Sequence, residues 1–463
     1  MTHRSQLELK RDLGVWGAVA IVIGTVIGSG IFLVPKRAIL KVGDPWELFF
    51  VWVFGGLLSL AGALTYAELA AAMPESGGEY VYLKAAYGRL YAFIYGWTQM
   101  WVAKSGSVAT LATAFYLAML NFAPGLNSVI ARIDAPIGPG WKPLEITAGQ
   151  LVAIALIMGL GCVNYFGVKF GGGVQLVVTI AKVGLFAAII VIGFSFSGGT
   201  FHHMSTSVPA NPGGLAGFFA ALVGILWAYD GWNNVSMVSA EIQVPQKNLP
   251  KALIMGTLAV MAIYLLANAA YFYVLSASEV AQADLVPAEL MRKIFGPTGA
   301  TAVSVVAMVS IFAALNGSIL TGARVPFAMA RDGLFFKSFG EVHPTHRSPS
   351  VSIFGLSAWS CVLVLSGRYD ELYTCVVFVS WILYGMAAAS VIVLRTTQPG
   401  LPRPYRTLGY PVVPMLFVLV AGLLIFYTLR DSPRESLLGL VLIAIGLPFY
   451  FHWNRQNSAL PKM

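Results

Sequence analysis

The feature that most constrains this chain is the recurrence, from end to end, of apolar runs near or above the roughly 20 residues that an α-helix needs to span a bilayer. Short polar joints separate the runs and leave no stretch for a soluble domain. Composition agrees: 57% of the 463 residues are hydrophobic and 11% are charged, against roughly 25% charged in an average soluble domain. A backbone in hydrocarbon must satisfy its own hydrogen bonds, which runs of this length do as helices. The expected fold class is an all-α polytopic membrane protein with about 12 transmembrane helices. They are expected at 13–35, 46–73, 89–120, 149–166, 172–196, 214–242, 250–275, 298–323, 350–366, 371–394, 411–429 and 436–453.

The opening MTHRSQLELKRDLG is short and charged, and the span after it has no small-residue cleavage site, so residues 1–12 read as a cytoplasmic tail rather than a secretory signal. With that end inside, most Lys and Arg fall in cytoplasmic loops, as the positive-inside rule asks, and residues 454–463 form a second cytoplasmic tail. The expected location is the cell (inner, cytoplasmic) membrane, multi-pass. The net charge of +9 is scattered through inner loops rather than gathered in a stripe, so no nucleic-acid partner is expected. Cys162, Cys361 and Cys375 lie in or at the ends of apolar spans without metal-ligand spacing, which points to packing, with no disulfide framework. Neither a metal nor another cofactor is implied. Residues 121–148 read as an extracellular loop, 276–297 as a short amphipathic outer element, and 73–88 as a turn followed by an interfacial helix.

Two spans are interrupted in corresponding places. The first contains GTVIGSGIF, residues 24–32, with Gly24, Gly28 and Gly30 around Ser29; the sixth reads FFAALVGILWAYDGWNNVSMVSAEI, with Asp230 and Gly231 in mid-membrane. Paired interruptions of this kind point to an inverted-repeat transporter whose substrate sits at the breaks. The repeats would be 13–196 (spans 1–5) and 197–395 (spans 6–10), with spans 11 and 12 appended over 396–453.

Glycine weakens a helix because it loses more backbone freedom than any other residue. Unwound backbone cannot face lipid, but it can line a cavity. Amides at the start of the second half-helix, around Ser29, Gly30 and Ile31, would face an anion such as a carboxylate. Carbonyls around Val26, and from Trp227 through Ala228 to Asp230, would accept from an α-ammonium. Gly28 and Gly30 flank Ser29 and belong to this cradle, whereas Gly24 fits small-residue helix packing. Asp230 is an ionisable group at mid-membrane and a functional candidate by default. Lys182 is equally conspicuous in VVTIAKVGLF: its ammonium would stand where a coupling cation sits, or carry a proton. Lys104 and Glu68 are weaker candidates, Glu68 leaning to structure. Trp227 and Phe312 are bulky enough to occlude a substrate, although packing is the commoner role of such aromatics.

These stretches, together with GALTYAELAAAMPESGGEYVYL, EIQVPQKNLPKAL, ALNGSILTGAR, ARDGLFF and VHPTHRSPSVS, resemble the amino acid-polyamine-organocation (APC) superfamily, and within it the L-type amino acid transporter (LAT) family. The resemblance implies a LeuT-type 5+5 inverted repeat with broken helices 1 and 6, alternating access, and sodium-independent exchange (antiport) of amino acids. It implies that Ser29 and Gly30 supply carboxylate-binding amides, and that Val26, Trp227 and Asp230 supply carbonyls for the amino group. Trp227 matches the family's aromatic gate, usually Phe in the large-neutral members. Asn233 matches a polar residue near the substrate, Lys182 a lysine in place of a sodium site, and Phe312 and Asn316 the span-8 wall. Animal light subunits of the family carry a loop cysteine linked to a heavy glycoprotein. The loop 121–148 has none, so a stand-alone prokaryotic type without a disulfide-linked heavy subunit is expected.

An enzyme is disfavoured because the chain has no H-E-x-x-H, no G-x-S-x-G elbow and no Walker loop, and the two histidines of HPTH at 343–346 have no partners to complete a metal site. A channel is disfavoured by the lack of a ring-forming filter motif. The expected function is a secondary active amino acid transporter, with small amino acids and lipid as its partners. The residues leave open exchange or proton symport, and small neutral, large neutral or dibasic substrates.

Overall fold

The computed structural model describes residues 8–120, 122–133, 144–366 and 369–458. Helix α1 (Val15–Val26) ends where Ile27 leaves the helical region, at φ −72° and ψ 85°, and α2 (Gly30–Val42) restarts at an angle of 42°. Gly43, at φ +83°, closes α2 by donating its amide to the Ile39 carbonyl at 2.7 Å. A side chain there would strain the backbone and meet the Val208 carbonyl at 2.7 Å, so glycine is needed on both counts. Asp44 then caps α3 (Pro45–Ala72), accepting from the Glu47 amide at 3.0 Å with proline in the first turn.

Helix α4 (Glu79–Tyr87) is the expected short helix after the turn at 73–78. Helices α5 (Arg89–Thr98) and α6 (Lys104–Met119) are joined by a π-helical turn over Gln99–Ala103 into one continuous run. Such a turn inserts an extra residue and rotates everything after it; here Lys104 is the first residue past it. The loop that follows departs from a purely helical reading. It carries β1 (Val129–Ile133) paired antiparallel with β2 (Leu144–Thr147), the β-branched content of VIARI and LEIT favouring extended backbone.

Helix α7 (Ala148–Tyr165) starts with a Thr147–Gln150 capping box, and α8 (Val168–Ser195) follows directly. The second break separates α9 (Gly214–Ala228) from the single turn α10 (Asn234–Met237), with Gly231 at φ +108° between them. Next come α11 (Pro245–Val274), α12 (Ala277–Gln282), α13 (Val286–Phe295), α14 (Pro297–Gly322), α15 (Arg324–Arg331), α16 (Ser350–Leu365), α17 (Tyr369–Thr397), α18 (Val412–Asp431) and α19 (Pro433–Ser458). Among the described residues, eight helical units are long and apolar enough to cross a membrane, and the bent α1–α2 pair makes nine. Helices α9 and α16 are apolar but shorter.

Burial separates centre from periphery. The most apolar windows of α14 and α17 are 78% and 72% buried, whereas those of α8 and α19 are 28% and 17% buried and turn residues such as Val177, Ile180, Leu437 and Ile445 outward. Helix α1 packs against α8, α11 and α14, so its break lies in the centre. Helix α2 packs on α9, α3 on α11, α6 on α14, and α7 on α16.

Candidate functional site

At the first break, the Gly28 amide turns back to the Val26 carbonyl at 2.8 Å instead of continuing the helix. The carbonyls freed at the end of α1 find side-chain partners. The fully buried Lys182 donates to the Gly24 carbonyl at 2.8 Å and to that of Ile27, and the Ser310 hydroxyl donates to Ile27 at 2.9 Å. The Tyr264 hydroxyl lies 3.0 Å from the Val26 carbonyl and 2.8 Å from that of Ala228, so one group from α11 ties both breaks together. At the start of α2 the amides of Gly30 and Ile31 have no intrahelical acceptor, and the Ser29 side chain makes no capping bond. That end of the helix presents N–H groups and a positive dipole end, which suits an anion.

The second break lies opposite. The Asp230 amide donates to the Trp227 carbonyl at 3.0 Å, and the Thr25 hydroxyl is 3.0 Å from the Gly231 carbonyl. The halves approach so closely that a Cβ on Gly30 would sit 2.6 Å from Ala228 Cα. Gly24 has a different reason for its size: a Cβ there would meet Gln175 and Thr179 of α8 at 2.0 and 2.4 Å.

Between the breaks is a small space of about 30 Å³, enough for water but too small for an amino acid. Backbone and side chains of Thr25, Val26, Gly28, Ser29 and Gly30 line one side, Trp227, Asp230, Gly231 and Asn234 the other, and Ser107, Leu111 and Ser318 the rest. Ser29 also lines a larger recess of about 500 Å³ that opens on the face carrying Arg37 and Asp284. Ser29, Gly30 and Trp227 line a further crevice of about 180 Å³ beside it. The recess on the opposite face, about 830 Å³ around Lys84, Arg331 and Asp332, shares no lining residue with the central space. Ties on that side include Tyr80 and Lys84 on Asp332 at 2.8 and 2.7 Å, and the fully buried Arg324 bidentate on Glu241 at 2.7 and 3.0 Å. The site is thus nearer to opening toward Asp284 than toward Asp332.

The amino acid permease family model matches residues 13–445. The chain is 32% identical over 460 residues to the serine/threonine exchanger SteT of Bacillus subtilis (strain 168), covering 99% of this chain and all of that protein. It is 31% identical to the b(0,+)-type amino acid transporter 1 of Homo sapiens, over 96% of this chain and 88% of that one. To the Asc-type amino acid transporter 1 of Mus musculus it is 29% identical, over 96% and 82%. The chain belongs to the amino acid permease family. Its relatives are transporters, and it is not an enzyme.

The permease brings Val26, Gly28, Ser29, Gly30, Trp227 and Asp230 around one space, with Ala228 directly behind Gly30. Asn233 is not on it. That side chain is buried and donates to Glu79, while its neighbour Asn234 lines the space. Phe312 is half-buried against the core and is not among the lining residues, whereas Ile311 lines the Asp284-side recess. Asn316 accepts from Asn164 at 3.0 Å and donates to Gln175 at 2.9 Å, a clamp between α7, α8 and α14. Glu68 is held by Arg395 at 2.9 and 2.6 Å and by the Thr407 amide at 2.7 Å, which fits its structural reading. Cys162 is exposed, Cys361 half-buried and Cys375 buried, and among the described residues no group of three or more His, Cys, Asp or Glu could hold a metal.

Glu79, Tyr264, Ser310, Asn234 and Tyr384 went unmarked at the sequence level. Buried Glu79 accepts from Tyr95 at 2.9 Å and from Asn233; Lys104 donates to Asn234 at 2.6 Å; Tyr384 donates to Asp230 at 2.8 Å. Only Glu79 carried a signal that could have been used, a carboxylate following the two glycines of ESGGEY next to an apolar core.

Proposed function

We propose that this permease carries amino acids across a bilayer by alternating access, as a sodium-independent exchanger of neutral L-amino acids and, through Asp230, of cationic ones. The observation that carries the reading is the central space bounded by bare backbone from two broken helices. Ser29 and Gly30 offer amides to the substrate carboxylate, with Gly28 leaving room beside them. Val26, Trp227 and Asp230 offer carbonyls to the ammonium. The Tyr264 hydroxyl has one proton to give and reaches both Val26 and Ala228, so it can turn to Ala228 while the substrate ammonium takes its place on Val26. Trp227, between the central space and the crevice toward Asp284, acts as the gate. Phe312 and Asn233 act one layer behind the substrate, Asn233 through Glu79.

Lys182 supports sodium independence. Its ammonium already engages the carbonyls at the end of α1, and a second cation there would be repelled in a low-dielectric interior. The name of SteT, a serine/threonine exchanger, is in keeping with exchange. Proton-coupled symport is the second reading, favoured by the ionisable side chains buried around the second break.

The repeat reading, 13–196 against 197–395, draws support from the packing. A two-fold axis in the membrane plane can set elements beside their own counterparts, and α3 on α11, α6 on α14 and α7 on α16 are such pairs, while α2 on α9 joins the two broken spans. Twelve spans, both tails (1–12 and 454–463) inside the cell membrane, α18 and α19 appended over 396–453, and no disulfide-linked heavy subunit complete the proposal. Asp284 then lies outside and Asp332 inside.

Counterflow in proteoliposomes tests the function: unlabelled amino acids inside, labelled alanine, leucine or arginine outside, with and without sodium and a pH gradient. Uptake that needs internal amino acid but neither ion is expected. Uptake into empty vesicles driven by a pH gradient establishes symport instead.

A further inference from the structure

Several hydroxyls around the two breaks are spent on backbone carbonyls. That of Thr25 is 2.7 Å from Ile21 and 3.0 Å from Gly231, that of Ser310 is 2.9 Å from Ile27, and that of Thr321 is 2.8 Å from Gly317. The hydroxyls of Ser107, on α6, and Ser318, on α14, line the central space and make no hydrogen bond among the described residues. A third polar group joins them. Lys104 donates to Asn234 Oδ1 at 2.6 Å, and an ammonium has donors only, so the oxygen of that carboxamide is held toward Lys104. The Nδ2 end, with two N–H donors, is the end left over; it makes no bond among the described residues and lies beside Gly231, which also lines the space. Lys104 is itself held in place, because its stem packs on Gly322, where a Cβ would come within 2.3 Å of Lys104 Cγ. Lys104, Ser107 and Leu111 follow one stripe of α6, spaced three and four residues apart.

With Ser29 and Gly30 on the carboxylate and the carbonyls of the two breaks on the ammonium, the groups that remain for a substrate side chain are Ser107, Ser318, Asn234 and Leu111. Room there is short. Leu111 and Ala314 reach to 3.4 and 3.5 Å of where a Cβ on Gly28 would lie, so α6 and α14 pack up to the backbone cradle itself. We infer that Ser107, Ser318 and Asn234 form a side-chain subsite, with Lys104 as its positioning residue, which selects serine and threonine over apolar amino acids of the same size. The substrate hydroxyl accepts from Asn234 Nδ2 and donates to Ser107 or Ser318 Oγ. A methyl in its place leaves these groups dry and unpaired, which is how a polar site rejects an apolar analogue. Leu111 closes the subsite to longer chains. Without Lys104 the carboxamide is free to turn its oxygen inward, and the donor is lost. The inference rests on the transport reading above and names the neutral substrates preferred by that same site.

Two pairs that differ only by a hydroxyl for a methyl isolate the effect: serine against 2-aminobutyrate, and threonine against valine. Each competes with labelled alanine for counterflow into proteoliposomes that hold the full chain and internal alanine. In the native protein the hydroxyl member of each pair should inhibit at a concentration about tenfold lower than its methyl partner, with leucine weaker than either hydroxyl compound. Members of a pair that inhibit within about threefold of each other overturn the inference, as does a preference for leucine. If no amino acid is exchanged at all, the transport reading itself has failed. Variants add a readout that general damage does not move, the ratio within each pair. The double variant Ser107→Ala, Ser318→Ala should bring both ratios to within about threefold by weakening serine and threonine while sparing 2-aminobutyrate and valine. Native ratios in that variant overturn the subsite. Lys104→Met should lower the ratios in the same direction, and unchanged ratios there overturn the positioning role of Lys104. Should a variant not fold, the native ratios still decide.

Discussion

Gly30→Ala is the sharpest test of the paired breaks. A Cβ built on Gly30 lies 2.6 Å from Ala228 Cα and 2.7 Å from Ala228 Cβ, and the nearer of these belongs to the backbone, so no rotamer change relieves it. Restoring ordinary contact at about 3.4 Å requires α2 and α9 to separate by roughly 0.8 Å, and overpacking of this kind costs on the order of 1–3 kcal/mol. Those two helices bound the central space, so the cost falls on the site's geometry. At about 1.4 kcal/mol per tenfold, affinity for substrate should drop by about 5- to 140-fold. Binding of labelled alanine to purified protein reads the drop, and thermal unfolding in detergent reads any loss of fold. Removing the opposing methyl, as in Gly30→Ala with Ala228→Gly, relieves one of the two clashes and should restore part of the affinity. A single variant that binds within twofold of the native protein, with unshifted melting, refutes the argument that close approach of α2 and α9 builds the site.

Three further outcomes are expected. Lys182→Met leaves the buried carbonyl of Gly24 without its ammonium and deprives Ile27 of one of two donors. Orphaned buried acceptors cost on the order of 1–3 kcal/mol each, so exchange should fall at least tenfold, and native rates in counterflow would refute the role given to Lys182. Asp230→Asn keeps an acceptor for Tyr384 but removes the charge, so the KM for arginine should rise at least tenfold more than that for alanine; equal losses would assign Asp230 to structure. Arg324→Met strands the Glu241 carboxylate in the interior. Breaking such a buried pair costs about 3–5 kcal/mol, so a lower melting temperature is expected, and unchanged melting would show that the pair does not hold the Asp332 face together.

The membrane class, the placement of the helices and both breaks were legible locally. Glycines beside Ser29, and an aspartate followed by glycine after Trp227, contradict the apolar runs that contain them, and a local contradiction can be read without knowing its neighbours. So can the conspicuous charge of Lys182. The strands at 129–133 and 144–147 were missed because a proline- and glycine-rich loop masks two short β-branched runs.

What the tertiary structure alone decided is which groups meet. Val26 and Tyr264 are 238 positions apart, and Glu79 and Asn233 are 154 apart, so no local pattern couples them. In an unwound segment the direction of a side chain follows no helical period. That is why Asn233 turns inward to Glu79 and Asn234, one residue on, borders the central space. The π turn rotates Lys104 toward Asn234, a rotation that residue spacing does not show. Composition records what it costs each residue to leave water. The partner that offsets the cost is chosen only when distant helices pack: Glu79 meets Asn233, Lys104 meets Asn234 and Asp230 meets Tyr384.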